Sequence, residues 1–200
     1  MEKKLVVIIK TYQDFIRTAD EKTVLHNRER LNALFNAISD SYIPILNMLG
    51  RFEAEKSDCK LGLVLPPVLC AMLENPKLQE LYVEDLEKRI ALKKDFVEKY
   101  KSSLIAAFAD FQRKGFVEIL GTCASDIFMP HYAGLEEAIS AQIEMGLQSY
   151  KKSFGDIPDG FFLPEFGYTP GVEKIIRAYG YSYTILHARS MLLTDQLPVN

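Results

Sequence analysis

The sequence predicts an α/β protein in which parallel strands alternate with helices, and two observations carry that expectation. Five short runs, residues 5–9, 61–65, 116–120, 161–163 and 181–186, are apolar or β-branched and of strand length. Longer amphipathic stretches separate them. Strands that feed helices in this order pair in parallel, with right-handed crossovers.

Each element has its own signal. The first strand is the run after the charged start of "MEKKLVVIIK", and the second is "LGLVL". Between the second and third strands, Leu86, Ile90, Val97, Tyr100, Leu104, Phe108 and Phe111 recur at steps of three, four or seven. They predict one apolar helical stripe that stops at Lys114 and Gly115. After the third strand, Leu135, Ile139, Ile143, Leu147 and Tyr150 make a second stripe ending near Gly155. The fourth strand is closed by Pro164, which has no N–H to give a ladder. The fifth is followed by "HARSMLLTDQLPVN", with no clear closing helix. A closed α/β barrel needs about eight strands or a near equivalent, so the chain reads as truncated. An open five-stranded sheet capped by its own helices is the alternative.

Composition excludes several classes. Two hundred residues, 48% hydrophobic and 26% charged, form one sizeable core, so a single globular unit over 1–200 is expected. A net charge of -3 and the lack of any long Lys/Arg run argue against nucleic acid as a partner. The 3 cysteines, Cys59, Cys70 and Cys123, form no CxxC pair and suit reduced thiols in a cytoplasmic protein. The N-terminal apolar run is shorter than a signal-peptide core, and no run reaches the roughly 20 residues of a membrane span. His26, His131 and His187 have no two- or four-residue spacing, which removes a metal site of the HExxH kind. GxGxxG, P-loop and GxSxG motifs are absent, and no cofactor is implied.

The stretch "GFFLPEFGYTPG", residues 160–171, places a carboxylate, Glu165, just past the end of the fourth strand. Strand C-termini are where α/β folds meet ligands. The plainer reading is a Glu that caps or salt-bridges in a turn. Phe162, Tyr168, Phe128 and Tyr132 are candidates to stack on sugar rings, whose C–H faces suit aromatic faces; core packing is the competing explanation for each. Glu118 alternates with Phe116 and Leu120 on one strand face and points either into a barrel interior or toward the helices.

Residues 148–187, "QSYKKSFGDIPDGFFLPEFGYTPGVEKIIRAYGYSYTILH", resemble the third signature region of glycoside hydrolase family 57, particularly its α-glucan branching enzyme group. There a Trp-Leu-Pro-Glu run carries the catalytic nucleophile; Phe162 stands at the Trp position and Glu165 at the Glu. Residues 115–132, "GFVEILGTCASDIFMPHY", are similar to the second signature, and "SYIPILNML" and "LGLVLPPVLCAMLENP" fit the first two helices and the second strand. The resemblance implies the N-terminal portion of an incomplete seven-stranded (β/α) barrel. It implies Glu165 as nucleophile and Glu118 on the wall of the site. The implied partner is an α-glucan or maltooligosaccharide, together with a missing C-terminal part of the same enzyme.

The departures bear on chemistry. Where the family has a His-x-His turn after its first strand, this chain has Lys10 and Tyr12, and Asp126 stands at the usual histidine of the second signature. The family's general acid, an Asp, comes from a later region. Retaining transfer needs two carboxylates about 5–5.5 Å apart, one attacking the anomeric carbon and one protonating the leaving oxygen. A like charge raises a carboxylate's pKa, so Asp126 hinders ionisation of Glu165 unless Lys10 neutralises the pair. Otherwise Lys10 snorkels to solvent and Asp126 caps a turn. Two functional classes follow: a retaining α-glucan branching enzyme or 4-α-glucanotransferase, or a non-catalytic glucan-binding or structural relative. A metal-dependent polysaccharide deacetylase would need an Asp and two His in ligand spacing, which the sequence lacks.

If Lys10 neutralises carboxylates in a partly dry cleft, Lys10→Met costs roughly 3–5 kcal/mol at neutral pH and less near pH 4, where carboxylates protonate. Urea titrations at the two pH values give the comparison. An equal loss at both, or none, makes Lys10 a solvated surface group.

Overall fold

A computed structural model describes residues 5–17, 28–89 and 103–191. The elements in chain order are β1 (Ile8–Lys10), α1 (Arg28–Ala37), α2 (Ile43–Ala54), β2 (Leu61–Val64), α3 (Pro67–Leu73), α4 (Pro76–Arg89) and α5 (Leu104–Arg113). Then come β3 (Val117–Leu120), α6 (Glu136–Phe154), β4 (Gly160–Phe162), α7 (Val172–Ala178), β5 (Tyr183–Ile185) and α8 (Ala188–Met191). Strands and helices alternate as the sequence predicts. The chain divides into two compact units, residues 1–118 and 119–200, with the division inside β3.

In the first unit β1 and β2 pair in parallel, Ile8 with Gly62 and Lys10 with Val64, and the sheet order is β1-β2-β3. The strand expected over residues 5–9 is displaced toward its C-terminal end. Leu5 and Val6 are 88% and 76% exposed, because β2 begins only at Leu61 and offers them no partner. Thr11 is buried beyond the ladder, its hydroxyl donating to Val64 O at 2.8 Å. Between α1 and α2 the chain passes through one wide turn, Ile38–Tyr42. Pro44 has no N–H for the carbonyl of Asp40, so the ordinary four-residue bond is missing there.

One helical expectation is corrected. The stripe from Leu86 to Phe111 is not a single helix. Ser103 is extended at φ -151, ψ 113, and its side chain accepts from the Ala106 N–H at 3.2 Å, so α5 has its own N-cap. Leu86 belongs to α4, Leu104, Phe108 and Phe111 to α5, and Ile90, Val97 and Tyr100 lie outside the described residues.

In the second unit β4 and β5 are parallel, with Phe162 opposite Ile185. Gly121, one residue past β3, bridges in parallel to Phe161. Helix α6 matches its predicted stripe except at Leu135, which is the N-cap and 56% exposed: Ile139, Ile143, Leu147 and Tyr150 are buried, and Gly155 ends the helix at φ 88, a left-handed conformation open to glycine. Its apolar face packs with Phe161, Leu163, Val172, Ile176 and Tyr181 in one core. Tyr150 anchors the helix by donating its phenol to Ile119 O at 3.0 Å.

Gly146 lets α6 approach this closely, since a β-carbon there would collide with the carbonyl of Thr122. Alanine in mid-helix is ordinarily worth about 1 kcal/mol over glycine. Here the clash is with backbone, and overpacking costs roughly 1–3 kcal/mol. Gly146→Ala therefore lowers the urea midpoint, while Gly134→Ala, where a β-carbon meets nothing within 4 Å, leaves it nearly unchanged. A stabilised Gly146→Ala would show that α6 can shift away from Thr122.

Candidate active site

Three strand exits of the second unit meet around the loop that carries Glu165. Beyond β3, Thr122 donates its hydroxyl to Phe162 O at 3.0 Å, which sets the two exits in step. The loop that follows is held by α6: Gln142 Oε1 accepts from Ser125 N and Ser125 Oγ, each at 3.0 Å, and Gln142 O accepts from Ala124 N. The loop then turns back through Phe128 to a short 3-10 turn, Met129–Tyr132.

After β4 the chain enters another 3-10 turn, Pro164–Phe166. Its first peptides are fixed by Phe166 N–H to Leu163 O at 3.0 Å and Gly167 N–H to Pro164 O at 2.9 Å. Glu165 sits at φ 51, ψ 25 and Phe166 at φ 53, so two successive non-glycine residues are left-handed. Such conformations cost roughly 1–2 kcal/mol each and collect at functional sites. The result is that Glu165 and Phe166 both turn outward from a buried strand, Phe166 remaining 43% exposed.

The loops after β3 and β4 are in close contact. A β-carbon at Gly167 would lie 2.9 Å from both Phe128 Cδ2 and Pro130 Cδ, so the absence of a side chain lets the two loops touch. Rings line the same region: Phe162 meets Phe166 edge-on at 5.2 Å, Phe166 meets His187 at 6.3 Å, and Phe128 meets His131 at 5.0 Å. Phe128, Tyr132 and Tyr168 are each more than a third exposed.

Tyr168 is held by Glu173 of α7. Its phenol donates to Glu173 Oε2 at 3.1 Å, and the same oxygen accepts from Gly171 N–H at 2.9 Å. The Glu173 carboxyl is held below its ordinary range, first by the hydrogen bond from its own backbone N–H and then by those from Tyr168 and Gly171. Partial burial and the Glu173 bond push the Tyr168 phenol up.

The sequence-predicted residues fall as follows. Glu165 and Tyr168 lie on the loop after β4, and Asp126 is exposed on the loop after β3. Burial pushes the Cys123 thiol up to about 12, with the Asp126 charge adding to it. Phe162 is only 4% exposed; the ring that reaches the surface there is Phe166. In the first unit Lys10 ends β1, half-buried, and Tyr12 is 64% exposed with its phenol donating to Asp14 Oδ1 at 2.9 Å. Glu118 is exposed on β3 between buried Val117 and Ile119. Phe166, His187, Gln142 and Glu173 were not singled out from sequence. Adjacency to Glu165 and position directly after a strand could have flagged the first two; the others act through partners that spacing does not reveal. Among the described residues no cluster of three His, Cys, Asp or Glu could hold a metal ion, and no helix is long and apolar enough to cross a membrane.

Parallel strands with helical crossovers define an α/β fold, with the Glu165 carboxylate at the strand exits where such folds meet ligands. Residues 6–200 match the model of glycosyl hydrolase family 57, and the chain belongs to that family. It is 26% identical to a 1,4-alpha-glucan branching enzyme of Thermococcus kodakarensis over 84% of this chain and 30% of that protein. The crystal structure of the alpha-amylase AmyC from Thermotoga maritima superposes with a TM-score of 0.88 at 25% identity, over 99% of this chain and 42% of the other. The branching enzyme of Pyrococcus horikoshii matches with a TM-score of 0.74 at 21% identity, over 90% and 41%. The chain thus spans less than half the length of each of these relatives.

Two outcomes follow from the geometry. Both Glu165→Gly and Glu165→Ala remove the carboxylate, but only alanine keeps the left-handed strain. After allowing for the greater unfolded-state freedom of glycine, Glu165→Gly is the more stable by roughly 0.5–1 kcal/mol in urea unfolding. Equal stabilities would mean that the turn relaxes in the variants. Separately, a carboxyl whose folded pKa is depressed contributes stability that is full above its unfolded value and lost as pH falls through the folded one. Wild type therefore exceeds Glu173→Gln in stability near pH 7, and the gap closes as pH drops below the ordinary Glu value of 4.5. A gap independent of pH assigns the Glu173 contribution to its shape alone.

Proposed function

We propose that this chain is the N-terminal part of a retaining enzyme acting on α-1,4-glucan, of the branching enzyme or 4-α-glucanotransferase kind. In this reading Glu165 is the nucleophile, and the general acid comes from sequence outside residues 1–200. The observation that supports it most is the placement of Glu165: exposed, on a left-handed turn directly beyond β4, with the exposed rings of Phe166 and Tyr168 following it in the same loop. An ionised carboxylate at a strand exit can attack an anomeric carbon and form a glycosyl ester. The ester forms as the glycosidic C–O bond breaks, and the leaving oxygen needs a proton from a second carboxyl group. Lys10, Tyr12, Glu118 and Asp126 are the further substrate contacts in this reading, and residues 1–200 count as one part of a larger barrel. The working compartment is the cytoplasm, and no metal or cofactor takes part.

A second reading has a specific observation behind it. By the resemblance of the signature regions, Lys10, Tyr12 and Asp126 stand where the family carries histidines, as expected of a glucan-binding relative that has lost activity.

A nucleophile without its acid forgoes roughly 10²- to 10⁴-fold of rate. Purified chain therefore releases or transfers glucose units from α-1,4-glucan no faster than Glu165→Gln, while maltotetraose still binds saturably in an NMR titration that moves the amides of residues 165–168. Turnover abolished by Glu165→Gln would place the acid within these residues, with Glu118 and Asp126 the first to test. Absence of any saturable sugar binding would remove the glucan assignment.

A further inference from the structure

We propose that His187 is a substrate-contacting residue of this site, donating its Nε2–H to a hydroxyl of a glucosyl unit seated on Phe166. The inference rests on the glucan reading above and adds a residue to it. His187 is the second residue beyond β5, as Glu165 is the third beyond β4, and Phe162 and Ile185 are paired across those two strand ends. The two residues thus leave the sheet at the same edge.

The ring's chemistry is set by its neighbour. Arg189 N–H donates to His187 Nδ1 at 3.2 Å. A nitrogen that accepts carries no proton, so the neutral ring holds its proton on Nε2. The side chain is exposed, and Nε2 has no hydrogen-bond partner among the described residues. The imidazole meets Phe166 edge-on, at 6.3 Å between ring centres and 80° between planes. Phe166 is in turn backed by the buried ring of Phe162. Along one edge the structure therefore sets a carboxylate acceptor, an apolar ring and an N–H donor. A pyranose presents the complement, with C–H faces that stack on aromatic rings and hydroxyls around its rim.

The competing role is local, a side chain that merely caps the turn into α8. His187→Asn separates the two, because the Asn side-chain oxygen can still accept from Arg189 N–H but offers no donor at the position of Nε2. The experiment uses the ¹⁵N-labelled 200-residue chain at pH 8, with the imidazole nitrogens observed by long-range proton–nitrogen correlation during a maltotetraose titration. The expected result is an Nε2–H tautomer before sugar is added, and an Nε2 signal that moves with the same saturation curve as the Phe166 amide. His187→Asn, with an unchanged melting temperature, should weaken binding by roughly 3- to 10-fold, the worth of one net hydrogen bond. A proton on Nδ1, an Nε2 signal that stays still while Phe166 saturates, or wild-type affinity in His187→Asn overturns the proposal and leaves the glucan reading intact. A titration with no saturable change at any residue overturns both.

Discussion

Gly121 donates its N–H to Gly160 O at 2.9 Å and accepts from Phe162 N–H at 2.8 Å, while the ring of Tyr181 lies against it. A β-carbon at this residue would stand 2.6 Å from Tyr181 Cε1 and 2.9 Å from Pro158 Cγ. Only glycine lets the end of β3, the start of β4 and the Tyr181 ring occupy this space together. Much of the second unit depends on that contact. The next residue, Thr122, hydrogen-bonds Phe162 O, so the exits of β3 and β4 are aligned and their loops leave side by side. Gly160 makes the same kind of room for Leu120 and Tyr183. The arrangement leaves the Tyr181 hydroxyl buried with no hydrogen-bond partner among the described residues, and burial raises its phenol pKa. A buried hydroxyl of this kind costs about 1–3 kcal/mol, against which stands the edge-on packing of Tyr181 with Phe161 at 4.9 Å.

On that aligned frame the segment 163–168 works against local preference. Pro164 stops the ladder, two left-handed residues reverse the chain, and Gly167 admits Phe128 and Pro130. Glycine would adopt these angles at lower cost, so the side chains of Glu165 and Phe166 are retained in spite of the backbone strain. What stabilises the turn is around it: two 3-10 hydrogen bonds, the Phe162–Phe166 ring pair, and the Glu173 carboxylate that ties Tyr168 to the start of α7. Rigid strands with a strained, outward-facing turn at their C-terminal edge are how α/β enzymes present a reactive group.

Two of the candidate polar residues, Tyr12 and Asp126, lie in solvent-facing surroundings. In the first unit Tyr12 is engaged with Asp14, and Asp14 lies 3.8 Å from Arg30 Nε. That is a solvated network, of the kind worth little to stability. In the second unit the exposed Asp126 follows a loop fastened by Gln142. The imidazole that stands beside the candidate nucleophile's loop, His187, comes from the exit of β5.

Periodicity alone was enough for the parallel α/β order, for α6 from Ile139 to its end at Gly155 and for the placement of Glu165 after a strand, because these depend on burial patterns that repeat along the chain. It failed where a local cap overrode the pattern, as at Ser103, and where the partner strand was shorter than the apolar run, as at Leu5 and Val6. Motif resemblance supplied the family, and with it the weight given to Glu165 over other post-strand carboxylates. Tertiary structure alone decided that Phe162 is buried and Phe166 exposed, that Gly121, Gly146 and Gly167 are sites of close approach, and that Glu173 and His187 belong with the loop after β4. These are contacts between residues far apart in sequence or matters of backbone sign, and a linear pattern of apolar and polar residues encodes neither the reach of a side chain nor the hand of a turn.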